Sequence, residues 1–248
     1  MTRKRLTRLY AIIIVLLMWA GLHEQLQAFI VPDPIAVFRY LLENMLSGQL
    51  TQHVIASLLR IMWAMLGTVL IGAGLGLLAG SIPLVDCLLT PIVYLFYPIP
   101  RVAFLPVFLL LLGLGEQSKV ALMIAVAAFY IYIPLRDTLQ QLPQNYTWQA
   151  KQFGFTIWQR LVYIILPALG SELFTSLKLV LGTSMATLFF VENYVTQWGL
   201  GYFIMNSWFK SDYVALYAGI VLLSFIGNIL FDLLALAQRY CLKWQWNS

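Results

Sequence analysis

The sequence predicts an all-α integral membrane bundle of about six transmembrane helices, and three observations carry that expectation. Of 248 residues, 61% are hydrophobic and 10% charged, whereas a soluble globular domain carries about a quarter charged residues. The apolar residues gather into runs long enough to cross a bilayer, which takes about 20 residues. The basic residues collect at the ends: Arg3, Lys4, Arg5 and Arg8 precede the first run, and Arg239 and Lys243 follow the last. That is the distribution the positive-inside rule gives when both termini lie in the cytoplasm.

Taken in order, the candidate spans are residues 10–30, 61–80, 84–113, 120–135, 174–193 and 214–237. The first has the basic lead and apolar run of a secretory signal. No small-x-small cleavage site follows and more spans do, so it reads as an uncleaved helix. Asp33-Pro34 and the apolar stretch to Gly48 predict a short external helix with an N-cap, a proline at its first position and a terminal glycine. The third span is too long for one straight crossing and holds Pro91, Pro98, Pro100 and Pro106. It is expected to be a broken helix or a helix with a re-entrant piece. Six spans return the chain to the side on which it began.

The polar insertion 136–167 is then cytoplasmic and longer than a connection needs. Gln144-Asn145 are expected to open one short helix and Gly154 to end it, with Thr156 capping a second that runs to Pro167. Together they make a hinged knob. The whole chain, 1–248, reads as a single transmembrane domain.

Gly72, Gly76 and Gly80 share one helix face, a spacing that lets helix backbones approach. Lying inside an apolar run, they open no phosphate-binding loop. An ionisable group within a span is costly without a partner or a wet cavity, so Glu192, Lys178 and Arg60 are candidates for a solute pathway. The alternative for the long cation Lys178 is snorkelling to the interface. Asp232 reads as a helix-pairing group. Cys87 and Cys241 lack metal or redox spacing, and the formal charge of +5 is explained by topology without nucleic acid. His23 and His53 make no i, i+4 metal pair, and neither HExxH nor GxSxG occurs, which leaves an intramembrane enzyme poorly supported. A membrane scaffold and an ion-coupled carrier stay open as alternatives, the latter without a convincing internal repeat.

The knob carries a resemblance. Trp148-Gln149-Ala150-Lys151-Gln152-Phe153-Gly154, with Leu166-Pro167 downstream, resembles the Glu-Ala-Ala, three residues, Gly … Leu-Pro signature of the inner-membrane permeases of ATP-binding-cassette importers. The likeness extends over nearly the whole chain. It is nearest to the nitrate, sulfonate, taurine and bicarbonate branch, through Tyr97-Pro98-Ile99-Pro100-Arg101-Val102-Ala103, Leu105-Pro106, Gly113-Leu114-Gly115-Glu116 with Lys119, Glu192, and Gly199-Leu200-Gly201. The resemblance implies a channel-forming subunit that transports a small solute by alternating access in the cytoplasmic (inner) membrane. It implies no catalytic residue, metal or cofactor on this chain, ATP being bound by two cytoplasmic subunits that dock on the knob. A second permease chain, identical or different, and a periplasmic or lipid-anchored solute-binding protein complete the expected assembly. Trp148 stands where the family has glutamate and Gln149 where it has the first alanine, which implies altered contact chemistry. A specialised ATPase, a more typical permease partner and weakened coupling are the three explanations. The first two are favoured, because Ala150, Gly154, Leu166 and Pro167 keep the hinge and the return into the membrane.

Overall fold

The computed structural model describes residues 2–26, 30–143 and 152–243, and its regular elements are helical throughout. In chain order they are α1 (Thr2–Gln25), α2 (Pro34–Leu46), α3 (Thr51–Ser81), α4 (Pro83–Phe96), α5 (Leu105–Leu112) preceded by a 3-10 turn at Arg101–Phe104, α6 (Glu116–Gln140), α7 (Ile157–Glu192), α8 (Leu200–Phe209) and α9 (Tyr213–Cys241). They divide into two compact units, Met1–Ser57 with Glu192–Phe225, and Leu58–Val191 with Ile226–Ser248.

In the first unit, Asp33 accepts a hydrogen bond from the Ile35 amide at 3.1 Å and Pro34 opens α2, while Gly48 turns the chain at φ +80°. The α1–α2 link is tied back to α1. Trp19 Nε1 donates to the Pro32 carbonyl at 3.1 Å, and His23 Nδ1 lies 2.6 Å from the Val31 carbonyl oxygen. Trp19 also stacks on Tyr217 of α9, with centroids 5.6 Å apart.

The second unit is built on the contact between α3 and α6. A Cβ added at Gly72 would meet the Ala128 carbonyl oxygen at 2.8 Å, one at Gly76 the Tyr132 carbonyl oxygen at 2.9 Å, and one at Gly80 the Leu139 side chain at 2.8 Å. Bare glycine faces thus let the two backbones touch, which matters where lipid is as apolar as the helices and hydrophobic burial supplies no drive between them. Around this seam Ala127, Ile131, Leu135, Leu139, Leu169 and Val180 form a buried cluster. Elsewhere large apolar side chains point outward, such as Leu17, Leu84, Leu110 and Phe225, as expected where lipid is the solvent.

The expectation of six spans is not confirmed. Four helices, α3, α6, α7 and α9, are long and apolar enough to cross, and the bent pair Pro83–Phe96 with Arg101–Leu112 makes a fifth if counted as one span. In α1 only Leu9–Gln25 is apolar, short of the roughly 20 residues a crossing takes. The third span is broken as its prolines require. Its halves meet at 93°, with Pro98 and Pro100 in the break and Pro106 in the first turn of α5.

Two boundaries need physical correction. α3 starts ten residues before the expected 61, and the polar residues His53, Ser57 and Arg60 in that added stretch all find partners. The helix capped by Thr156 does not stop at Pro167 to be followed by a separate span at 174–193. It runs on to Glu192. Leu161–Ile165 is a π-helical turn, and its wider winding accommodates the missing proline N–H and the ring. The short helix α8 had no counterpart among the expected elements.

Candidate functional site

The knob is the first place where the sequence put function. Trp148, Gln149, Ala150 and Lys151 lie outside the described residues, as does the helix start expected at Gln144-Asn145. Gly154 has φ +66° and open space around its missing Cβ, the left-handed geometry that glycine adopts freely and β-branched residues resist. Two residues later Thr156 caps α7 with a full capping box. Thr156 Oγ1 accepts from the Gln159 amide at 3.3 Å, and Gln159 Oε1 accepts from the Thr156 amide at 2.8 Å. Leu166 is about half exposed, and Pro167 lies within the continuous helix. Beside this end of α7, in the second unit, Arg160, Ile164 and Ile165 share a small concavity with Gly80, Ser81, Leu139 and Leu142.

Of the three pathway candidates, Arg60 is 4% exposed. It grips Glu116 with a two-pronged ion pair, Nε to Oε2 at 2.5 Å and Nη2 to Oε1 at 2.7 Å. Buried Lys119 lies 3.6 Å from the same carboxylate, which is itself largely exposed. Lys178 is half-buried. Its ammonium donates to Gln238 Oε1 of α9 at 2.7 Å.

Glu192 belongs to the first unit and is fully buried. Its Oε1 accepts from Ser57 Oγ at 2.7 Å and its Oε2 from the Gly201 amide at 2.7 Å. Structure therefore brings Glu192 to Ser57 and Gly201, Arg60 to Glu116 and Lys119, and Lys178 to Gln238. Outside the spans, burial and the charge of Asp212 push the Tyr40 phenol above its usual pKa, so it stays neutral.

Sequence reasoning missed two further constellations in the second unit. Asp86 accepts from Arg136 at 2.7 and 2.8 Å, from Thr90 at 2.5 Å and from Gln140 at 2.9 Å, and Arg136 also pairs with Asp137 at 2.6 Å. A lone carboxylate in the apolar run after Pro83 was the available signal. Arg101, in the broken span, donates to the Val126 carbonyl at 2.9 Å and the Tyr97 carbonyl at 3.3 Å. Its guanidinium lies 4.6 Å from the Phe129 ring centroid and 5.5 Å from that of Tyr130. Val126 lies two residues before Ala128, a single turn residue within α6. Among the described residues no three His, Cys, Asp or Glu side chains gather as metal ligands would.

Comparison with known proteins gives this geometry a context. Residues 72–239 match the family described as the binding-protein-dependent transport system inner membrane component. The taurine transport system permease protein TauC of Escherichia coli (strain K12) is 30% identical over 220 residues, covering 86% of this chain and 79% of the relative. The putative aliphatic sulfonates transport permease protein SsuC of Bacillus subtilis (strain 168) is 31% identical over 223 residues, covering 88% and 79%. The nitrate import permease protein NrtB of Synechocystis sp. (strain ATCC 27184 / PCC 6803 / Kazusa) is 26% identical over 178 residues, covering 72% and 65%.

Proposed function

The chain belongs to the inner membrane components of binding-protein-dependent transport systems, and from that premise we propose that it passes a small anionic or zwitterionic solute across the cytoplasmic membrane by alternating access. The chain itself holds no cofactor. ATP is hydrolysed on two cytoplasmic subunits docked on the knob at 136–167, a second permease chain completes the pathway, and an external binding protein delivers the solute. Both termini lie in the cytoplasm. The solute class rests on the relatives, whose names specify taurine, aliphatic sulfonates, nitrate and bicarbonate, each a small molecule carrying an anionic group.

One observation carries the coupling mechanism: α7 is unbroken for 36 residues from its capping box to Glu192. Gly154 turns the chain just before it. Force applied to a knob that ends in such a helix is not dissipated in a flexible joint after Pro167. It reaches the far end of the span, as switching between two discrete arrangements requires. Trp148 and Gln149 in place of glutamate and alanine make the docking contact more apolar at one position and more polar at the next, which suits a partner ATPase shaped to them.

The test is Gly154→Val in the chain purified with its ATPase and reconstituted in proteoliposomes. Valine resists φ +66°, so solute-stimulated ATP hydrolysis falls at least about tenfold, equivalent to about 1.4 kcal/mol, while membrane insertion is retained. Unchanged coupling, or labelling of residues 144–167 from outside intact cells, overturns the reading.

A further inference from the structure

The amino end of α8 is held by an unusual set of acceptors. A helix leaves its first N–H groups without intrahelical partners, and here two successive amides are each taken by a side chain, while His53 Nδ1 lies against the Gly199 peptide, 3.0 Å from its carbonyl oxygen. The Gly199 amide lies 3.1 Å from His53 Nδ1, the Leu200 amide donates to Ser57 Oγ at 2.8 Å, and the Gly201 amide donates to Glu192 Oε2 at 2.7 Å. His53 and Ser57 stand one turn apart on α3, and Glu192 is the last residue of α7. Two of these side chains are themselves linked, since Ser57 Oγ donates to Glu192 Oε1 at 2.7 Å.

The arrangement leaves the Glu192 carboxylate with both oxygens engaged and no surface exposed. Its space is secured by Gly199, whose φ of +151° suits glycine and whose missing Cβ would stand 2.6 Å from both carboxylate oxygens. The ring of His53 is packed against Trp198, Tyr202 and Phe203, at centroid distances of 5.2, 6.1 and 5.4 Å. A solute ligand needs a free valence facing a cavity, and an anion would repel the anionic solutes of the proposed class. A carboxylate spent on two donors inside one turn of backbone does a different job.

We propose that Glu192 is a positioning residue and not a solute ligand: with Ser57 and His53 it fixes the amino end of α8 to the end of α7, so that α8 moves with the helix that leads from the knob. The direction of that motion rests on the transport reading above, whereas the clamp itself does not. Both carboxylate oxygens accept, so glutamine keeps the shape but has one acceptor oxygen and no charge, and its amide nitrogen can meet Ser57 Oγ only by donating. Alanine removes both.

The test has two arms. In the first, hydrogen–deuterium exchange of residues 199–209 is measured on the chain alone in lipid nanodiscs, for the wild type, Glu192→Gln, Glu192→Ala and Ser57→Ala. The expected result is exchange at Leu200 and Gly201 faster by at least about tenfold, the factor that losing a hydrogen bond to a charged group represents. Residues 72–80 remain as protected as in the wild type. Unchanged exchange at 199–201 in all three variants, or a rise shared equally by residues 72–80 in all three, overturns the proposal.

In the second arm, the reconstituted assembly is assayed for uptake with taurine and nitrate as probes. Glu192→Gln is expected to lower maximal uptake at least about threefold, less than the tenfold of a fully lost charged bond because one acceptor survives, with the KM for solute unchanged. A raised KM at unchanged maximal rate makes Glu192 a solute ligand and overturns the proposal. Absence of uptake by the wild type counts against the transport reading, and the first arm then decides the clamp by itself.

Discussion

The α3–α6 seam and the cap on α8 hold helices together by opposite means. The seam is dry and nearly featureless chemically. Gly72 and Gly76 present bare backbone to the backbone of α6, and the gain comes from dispersion over a close contact. The cap is made by polar groups, with Ser57 and Glu192 matched to two consecutive amides and His53 on the Gly199 peptide before them. A membrane protein needs both, because lipid neither drives apolar surfaces together nor satisfies a stray N–H. The seam fixes how near two helices lie. The cap fixes where one helix begins, and changing a single polar atom weakens it. A contact made of backbone has no such handle, so the first suits a permanent scaffold and the second a joint.

The sharpest way to break this contrast is on the seam. Gly76→Val drives a branched side chain into the Tyr132 carbonyl, where backbone and not a flexible side chain is the obstacle. Overpacking of that kind costs about 3 kcal/mol or more, and the purified chain should show its largest drop in melting midpoint here. Gly74, in the same helix, has nothing within reach of an added Cβ. Gly74→Ala should therefore be neutral or slightly stabilising by helix propensity, by up to about 1 kcal/mol. Equal effects at 74 and 76 would mean that the seam is not a close contact. Next in size is Gly199→Ala, which attacks the cap sterically. The methyl group must displace the Glu192 carboxylate and the backbone must hold φ +151°, together about 2 kcal/mol. If the melting midpoint of this variant matches the wild type, the pocket for the carboxylate is looser than its distances say.

The two regions also differ in how far the sequence disclosed them. Glycines at 72, 76 and 80 repeat at the helical period, so a packing face could be read from spacing alone. The all-helical membrane fold followed from apolar run length, and the broken third span from its prolines. The cap could not be read this way, because its members are at 53, 57, 192 and 199–201 and are joined by folding and not by period. Glu192 drew notice as an ionisable residue in an apolar run, which signals that a partner exists without saying which. Ser57 carries no signal, since serine is common at helix positions of every kind. The apolar run marked the span from 61, whereas α3 begins at Thr51, and the polar side chains in between make contacts that hydropathy does not register. Pro167 was read as a stop, and the π-helical turn that accommodates it has no mark in sequence. The lone Asp86 was legible and overlooked, and its partner Arg136 had been taken as the first residue of a loop.

The smallest expected effect separates cap chemistry from cap environment. Thr156 and Gln159 form a capping box on α7 by the same logic as the cap on α8, an acceptor side chain placed on an orphan amide. Both residues are exposed, so water replaces whatever a substitution removes. Thr156→Ala should cost about 0.5–1 kcal/mol, the usual value for an N-cap. At the cap on α8, Ser57 is 1% exposed, and Ser57→Ala strands the Leu200 amide and takes one donor from Glu192. Leaving a buried group unsatisfied costs about 1–3 kcal/mol, more when it is charged. The melting midpoints of the two variants, measured side by side in the same lipid, should rank Ser57→Ala clearly below Thr156→Ala. If they coincide, water reaches the amino end of α8, and the carboxylate there is a solvated cap like the one at Thr156 and not a sealed joint.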